Sequence, residues 1–175
     1  MPSEPFHRLF FAVRPPADVI PEIAERRDSF GQAKGLVADG QLHLTTWLFE
    51  DSQVFPADAA ERAQAAVVAV PLLRFRIVLE RMVGGKSHVV LVPNEPLPGF
   101  VAFQGRLDLA LRAAGLRPRP NWRFSPHVTL LHGRQEVDQG IVPIGWEVEE
   151  LFLLDSIVGE RRHEIIARWP LAPKG

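Results

Sequence analysis

Two short apolar stretches carry the same His-x-Thr motif, and they constrain the fold more than any other feature of this sequence. The first covers residues 41–47 (QLHLTTW) and the second covers residues 125–131 (SPHVTLL). The chain has six histidines, and two of its three threonines stand two places after a histidine. Leu, Val, Thr and Trp favour extended backbone, so each motif predicts a β-strand.

Successive side chains of a strand alternate between its two faces, so the histidine and threonine of each motif point the same way. The predicted polar faces carry His43 with Thr45 and His127 with Thr129. The other face reads as core, with Leu42, Leu44 and Leu48 in the first strand and Val128 and Leu130 in the second. Two such polar faces opposite each other would surround one small cleft. A single histidine of this kind is usually a core or surface residue, but duplication of the whole motif favours a shared site.

The remaining pattern predicts several short strands and three helices. We expect strands at 7–14, 42–49, 75–81, 88–92, from the second motif to Gly133, 146–158 and 163–169, and helices at 17–32, 57–70 and 100–114. Gly84-Gly85-Lys86-Ser87 lacks the upstream glycine of a phosphate loop and predicts a hairpin turn. Both halves contain a strand, a helix and a His-x-Thr strand. The predicted class is α+β, with antiparallel sheets, outer helices and two pseudo-symmetric lobes in a single domain over residues 1–175.

Composition narrows the classes of function. The formal net charge is −1, which argues against duplex DNA as a partner. The chain has no cysteine, which excludes disulfides and thiolate metal sites. Residues 1–5 (MPSEP) lack the features of a signal peptide, and no apolar run is long enough to span a membrane. We therefore expect a cytoplasmic monomer without a membrane partner.

Two histidines across a cleft suit acid–base catalysis, because imidazole titrates near neutral pH. Hydrolysis of a phosphodiester requires one group that removes a proton from water and another that protonates the departing oxygen on the opposite side of phosphorus. Hydroxyls of Thr45 and Thr129 would donate to the non-bridging oxygens. Such a reaction needs no metal and no cofactor. A metal site using His127 and His132 is disfavoured, because the two residues lie on opposite faces of an unbroken strand.

The paired motifs resemble those of the two-histidine phosphoesterases, the LigT-like or RNA 2',3'-cyclic phosphodiesterase family. Residues 8–16 (RLFFAVRPP) are similar to that family's first strand and exit turn, residues 125–130 (SPHVTL) to its second motif, and Ser156 with residues 168–171 (RWPL) to its C-terminal strands. The resemblance implies two lobes around a shared cleft. It also implies a substrate with a 2',3'-cyclic phosphate at an RNA or nucleotide end, opened to a 2'-phosphate. By the same resemblance His43 would be the general acid, His127 the general base, and the two threonines phosphate ligands. Some relatives join RNA ends through a 2'-5' linkage.

The resemblance leaves the positive partner of the phosphate open. Relatives often carry a basic residue, usually Arg, a few places after the second motif, where this chain has His132. In an unbroken strand His132 would point away from His127. Arg134, just beyond Gly133, and Arg14, at the end of the first strand, are the two substrate-binding candidates.

Other residues carry weaker expectations. His7, His88 and His163 are expected at the surface or at strand ends. Trp47, Phe49 and Trp122 would either stack a nucleobase or pack in the core. Two further functions stay open, namely a non-catalytic module that binds nucleotides or RNA ends, and a phosphodiesterase for another cyclic phosphate.

Overall fold

The structure is a computed structural model that describes residues 4–174. Residues 1–3 and residue 175 lie outside this range. The expectation that residues 1–5 lack the features of a signal peptide therefore falls partly outside the described residues. The strands are β1 (Phe6–Val13), β2 (Leu44–Leu48), β3 (Phe75–Gly84), β4 (His88–Val92), β5 (Val128–His132), β6 (Val137–Val148), β7 (Glu150–Val158) and β8 (Arg162–Pro170). The helices are α1 (Ile20–Asp28), α2 (Ala57–Val68) and α3 (Pro98–Ala113), with a short 3-10 helix at Asp39–Gln41.

The strands form two antiparallel four-stranded sheets, which confirms the predicted α+β class. The first sheet has the order β2-β1-β7-β8 and the second the order β5-β4-β3-β6. Each His-x-Thr strand, β2 or β5, is therefore the edge strand of its own sheet. This equivalence of position is the pseudo-symmetry that the duplicated motif predicted.

The helices cover the faces of the sheets that turn away from the cleft. Buried apolar side chains from both sheets and all three helices form one continuous core. Trp47 is fully buried there, and its indole N–H donates to Asp108 of α3 over 2.9 Å. That bond satisfies the one polar atom of a large apolar side chain and fixes β2 against α3. None of the described helices is long and apolar enough to cross a bilayer.

The predicted helix at 17–32 is shorter at both ends in the structure. Pro21 lies in the first turn of α1, where a missing N–H costs nothing, and residues 17–19 form a preceding turn. The helix ends at Asp28, and Gly31 follows with a φ of 63°, a conformation that glycine adopts easily. The other two predicted helices agree with α2 and α3 to within two residues.

The prediction of a single strand at 146–158 was wrong. This stretch contains the end of β6 and all of β7, which lie in different sheets and are separated at Glu149. Most of β6 was missed because Gly140, Pro143 and Gly145 interrupt its apolar pattern. A proline is tolerated there because β6 is the outer strand of its sheet. The predicted hairpin at Gly84–Gly85 is confirmed by the pairing of β3 with β4.

Candidate active site

Both His-x-Thr motifs border the same cleft between the two sheets. The cleft has a volume of about 340 Å³ and contains His43 and Thr45 from the first motif and His127 and Thr129 from the second. The remaining lining residues are Arg8, Phe10, Val37, Gln41, Leu48, Trp122, His132, Ser156 and His163. The expected meeting of the two polar strand faces is therefore present.

A β-bulge in each motif strand changes which side chains reach the cleft. Opposite β1, the register passes directly from Thr45 to Trp47, so Thr46 is the extra residue. Opposite β4, the register passes from Thr129 to Leu131, so Leu130 is the extra residue. A bulge of one residue shifts the alternation of the side chains that follow it.

The bulges correct two sequence-based assignments. Leu48 was assigned to the core face and His132 was expected to point away from His127, yet both line the cleft. Each stands three places after the motif threonine, so the two occupy equivalent positions in the two strands. The side chain of His132 therefore faces the cleft, where it could contact a ligand.

Both motif histidines are held in the same orientation by the backbone. Nδ1 of His43 lies 2.7 Å from the carbonyl oxygen of Gln41, and Nδ1 of His127 lies 2.7 Å from the carbonyl oxygen of Ser125. A carbonyl oxygen only accepts hydrogen bonds, so each Nδ1 carries a hydrogen and donates it. Each Nε2 is therefore left for a ligand in the cleft, as a proton acceptor in neutral imidazole and a donor in imidazolium.

His43 sits in an environment that disfavours its charged form. Burial lowers its pKa from 6.5 to about 4, against the opposing effect of the hydrogen bond to Gln41. The positive charges of His163, His127 and Arg14 contribute to the same decrease, though less than burial does. With the cleft empty, His43 is consequently neutral at pH 7.

His163, near the start of β8, is a cleft residue that sequence reasoning assigned to the surface or a strand end. Its ring centroid lies 5.6 Å from that of His43 and 5.6 Å from that of Phe10, with edge-on geometry in both pairs. Burial and then the charge of Arg14 lower its pKa, while Asp155 acts in the opposite direction. Its Nδ1 is buried and has no hydrogen-bond partner among the described residues.

No pattern in β8 marks His163 as a cleft residue. Neighbouring side chains on both faces of this edge strand are exposed, so the alternation of polar and apolar residues carries little information. The strand registers supply the information instead, because β7 places Ser156 beside His163 and beside Arg8. All three of these residues line the cleft.

Of the three aromatic residues considered as base-stacking candidates, one reaches the cleft. Trp122 lines it, whereas Trp47 is fully buried and Phe49 is 5% exposed in the core. Phe10, from β1, adds an apolar surface beneath His43, with ring centroids 5.0 Å apart. The cleft therefore combines polar groups with the apolar and aromatic surface that suits a nucleobase.

The two candidate arginines lie in different surroundings. Arg14 packs over the ring of Phe152 at 5.1 Å, and its Nε is buried without a hydrogen-bond partner among the described residues. The positive charge of Arg14 lowers the pKa of His43 and of His163, although Arg14 lines a neighbouring cavity rather than the cleft itself. Arg134 does not reach the cleft, because its side chain is 71% exposed and pairs with Glu136. The chain turns outward after Gly133 instead of carrying Arg134 back towards His127.

Arg8 is a basic cleft residue that the sequence did not single out for this role. It forms two hydrogen bonds of 3.0 Å to Asp51, and Arg119 also pairs with Asp51. Two guanidinium groups thus share one carboxylate, which leaves an excess of positive charge at this side of the cleft.

The other histidines lie away from the cleft, and the described residues contain no candidate metal cluster. Nδ1 of His7 is 2.6 Å from the buried carboxylate of Asp155, and exposed His88 contacts Ser87. Within residues 4–174 no three His, Cys, Asp or Glu side chains come together as a metal site.

A larger cavity of about 530 Å³ lies at the far end of β1, but its chemistry differs. It is lined by Arg14 together with four carboxylates, those of Asp18, Glu147, Glu149 and Glu150. Negative side chains repel a phosphate, and neither motif histidine is present. The smaller cleft is therefore the candidate active site.

Solved structures with the same fold include proteins of Escherichia coli and Thermus thermophilus. Escherichia coli LigT in its apo form is 26% identical, with a TM-score of 0.75 over 97% of this chain and 99% of LigT. The same protein complexed with 3'-AMP is 26% identical, with a TM-score of 0.75 over 96% and 99%. TT0787 of Thermus thermophilus is 21% identical and shares the fold, with a TM-score of 0.73 over 96% and 100%.

Comparison with curated protein sequences gives no significant match. The model of the 2'-5' RNA ligase superfamily, however, matches residues 15–160, a range that includes both His-x-Thr strands and all of the second sheet. This chain therefore belongs to the 2'-5' RNA ligase superfamily of two-histidine phosphoesterases.

Proposed function

We propose that this protein hydrolyses 2',3'-cyclic phosphates at RNA or nucleotide ends to 2'-phosphates, using His43 and His127 without a metal. The observation that carries the proposal is the convergence of two identically oriented imidazoles and two threonines on one cleft. Membership of the superfamily and the similarity to LigT, which has been solved with 3'-AMP, support a nucleotide substrate.

The groups in the cleft account for each bond and proton of the proposed hydrolysis. Water attacks phosphorus and the bond from phosphorus to the 3' oxygen breaks, in line with the attack. One imidazole takes the proton of the water, and the other protonates the departing 3' oxygen. The hydroxyls of Thr45 and Thr129 donate to the non-bridging oxygens, where negative charge gathers in the transition state. Trp122 offers a surface for stacking the base.

The family resemblance assigns His43 as the general acid, but the buried environment of His43 disfavours the protonated form that this role requires. A general acid must hold a proton, whereas burial keeps His43 neutral at pH 7 in the empty cleft. A bound phosphate carries a negative charge, which raises the pKa of a nearby imidazole. We therefore expect substrate binding to favour protonation of His43, while His127 activates water.

The test is incubation of the purified protein with the four 2',3'-cyclic mononucleotides in EDTA, with identification of the product isomer. We expect turnover and a 2'-phosphate product. A 3'-phosphate product would mean that the bond from phosphorus to the 2' oxygen breaks instead, which would contradict the proposed geometry of attack. Activity that disappeared in EDTA and returned only with zinc, manganese or magnesium would contradict the metal-independent mechanism. Binding without turnover would favour a non-catalytic nucleotide-binding module.

A further inference from the structure

The active-site cleft opens into a second cavity of about 470 Å³ on the side of the β7–β8 turn. The two cavities share six lining residues, so they form one continuous groove; these are Arg8, Val37, Gln41, His132, Ser156 and His163. The second cavity adds Lys34 and Arg161. A ligand seated at the two catalytic histidines has room to continue in this direction.

The second cavity is basic. Its lining contains Arg8, Lys34 and Arg161, two histidines and no carboxylate. Neither Lys34 nor Arg161 forms an ion pair with another residue in the described range 4–174. Unpaired basic side chains along a groove are typical of proteins that follow a single-stranded nucleic-acid backbone.

The basic residues are placed by contacts with the active-site elements. The side-chain amide of Gln41 donates to the carbonyl oxygen of Arg161 over 2.8 Å, while the backbone oxygen of Gln41 accepts from His43. One residue thus links the β7–β8 turn to a catalytic imidazole. Arg161 has a φ of 52°, an uncommon conformation for a residue other than glycine.

Lys34 is placed by its neighbour. Gly35 has a φ of 82°, and a side chain at this position would collide with the carbonyl oxygen of His132. The amide of His132 in turn donates to the carbonyl of Gly35 over 2.9 Å. The loop that carries Lys34 therefore packs directly on the end of β5, the strand of the second motif.

The opposite direction is unfavourable for a phosphate. There the neighbouring cavity contains four carboxylates and the single cation Arg14. This acidic cavity shares no lining residue with the cleft, so the basic cavity is the one that continues the groove.

We propose that Lys34 and Arg161 form a second subsite, which binds the phosphodiester on the 5' side of the terminal nucleotide. This inference rests on the proposed function, and it names the substrate class as oligoribonucleotides with a cyclic 3' end rather than mononucleotides. The reacting phosphate occupies the His43–His127 cleft, and the preceding phosphate lies between Lys34, Arg161 and Arg8.

The experiment compares two substrates and three proteins. The substrates are a 2',3'-cyclic mononucleotide and a trinucleotide with the same cyclic end. The proteins are the wild type, Lys34→Gln/Arg161→Gln, and the control Lys86→Gln/Arg62→Gln, which removes the same charge from exposed positions outside the groove. We expect the double variant to lose up to about tenfold in kcat/KM on the trinucleotide alone. The slope of log(kcat/KM) against log salt should also fall by about 0.7 for each lost contact.

A second measurement separates failure of the subsite from failure of the proposed function. It is the affinity of each protein for a trinucleotide and a mononucleotide that end in a 2'-phosphate. Tighter trinucleotide binding that depends on Lys34 and Arg161 supports the subsite even without turnover. Turnover with no trinucleotide preference, or an equal loss in the control variant, overturns the subsite and leaves the proposed function in place.

Discussion

At the scale of single residues, the site depends on how two imidazoles are held. Each motif histidine donates from Nδ1 to the carbonyl two residues earlier, at 2.7 Å in both cases. This local bond fixes the tautomer and turns Nε2 towards the cleft without help from any other side chain. The two histidines differ in their surroundings, because burial lowers the pKa of His43 to about 4. The same motif can therefore supply two different proton-transfer roles.

Removal of either imidazole should abolish most of the activity. We expect His43→Ala and His127→Ala each to lower turnover of a 2',3'-cyclic phosphate by at least about 100-fold, the usual scale for a lost acid or base. The control is His88→Ala, which removes an exposed histidine away from the cleft and should leave turnover unchanged. Circular dichroism would verify folding. Near-normal rates in either cleft variant would contradict the assignment.

The pH profile should reveal which histidine is the acid. The acidic limb of kcat/KM marks the loss of the first proton from the doubly protonated pair of histidines in the free enzyme, whichever role His43 has. Since the pKa of His43 is lowered to about 4, we expect this limb near pH 4 in the wild type. The limb in kcat should lie at higher pH, because the bound phosphate favours the imidazolium. In His43→Gln only His127 remains. If His127 is the base, residual activity rises with pH; if residual activity falls with pH, the two roles are exchanged.

At the scale of secondary structure, the two β-bulges decide which side chains meet a ligand. The sequence predicted that His43, Thr45, His127 and Thr129 share a cleft, because period-two alternation holds within the three residues of each motif. Beyond the motifs alternation fails, since Thr46 and Leu130 are extra residues that no local pattern reveals. A bulge depends on the partner strand, and partners such as β1 and β4 are distant in sequence.

The same limit explains the other differences between sequence and structure. The break between β6 and β7 is a change of sheet at Glu149, which an apolar run does not record. His163 reaches the cleft through the pairing of β8 with β7, and edge strands with two exposed faces give no hint of orientation. The bounds of α2 and α3 were better predicted because the signals at their ends, such as the glycine after α3, are local.

The bulge in β2 gives a paired test on adjacent threonines. Thr45 lines the cleft, whereas Thr46 is fully buried and its hydroxyl has no hydrogen-bond partner in the described range. A buried hydroxyl without a partner costs about 1–3 kcal/mol. Thr46→Val should therefore leave activity intact and keep or raise the free energy of unfolding. Thr45→Val should lower kcat/KM with little change in that free energy. Urea denaturation and steady-state kinetics measure both, and an exchange of the two phenotypes would contradict the observed register.

At the scale of the whole molecule, two similar sheets enclose a cleft that continues into a basic cavity, while a separate cavity beyond Arg14 is acidic. The net charge of −1 hides this difference, because carboxylates gather beyond Arg14 and basic residues gather near the β7–β8 turn. A net charge near zero limits non-specific attraction to long nucleic acids, while the proposed basic subsite would still orient a short strand. The buried histidines of the cleft also link the site to the stability of the entire fold.

Stability should fall in mildly acidic solution because the fold keeps His43 neutral. In the unfolded chain a histidine titrates near 6.5, whereas in the folded protein the pKa of His43 is about 4. Between these values the unfolded state binds more protons, so the free energy of unfolding rises with pH. The contribution is complete above pH 6.5 and is lost as pH falls towards 4. Its size is at most about 3 kcal/mol, and the openness of the cleft reduces it.

Urea denaturation of the wild type and His43→Gln at pH 7.5, 6.0 and 5.0 measures this contribution. We expect the wild type to lose more stability than the variant across this range, with an unchanged dependence on urea concentration. His163 and His132 also have pKa values lowered chiefly by burial, so the variant should keep part of the pH dependence. His88→Gln, which alters an exposed histidine outside the cleft, should keep most of the wild-type pH dependence, because the charge of His88 lowers the pKa of His132 less than burial does. Parallel curves for the wild type and His43→Gln would show that His43 is not held neutral by the fold, and they would remove the reason for expecting an acidic limb near pH 4.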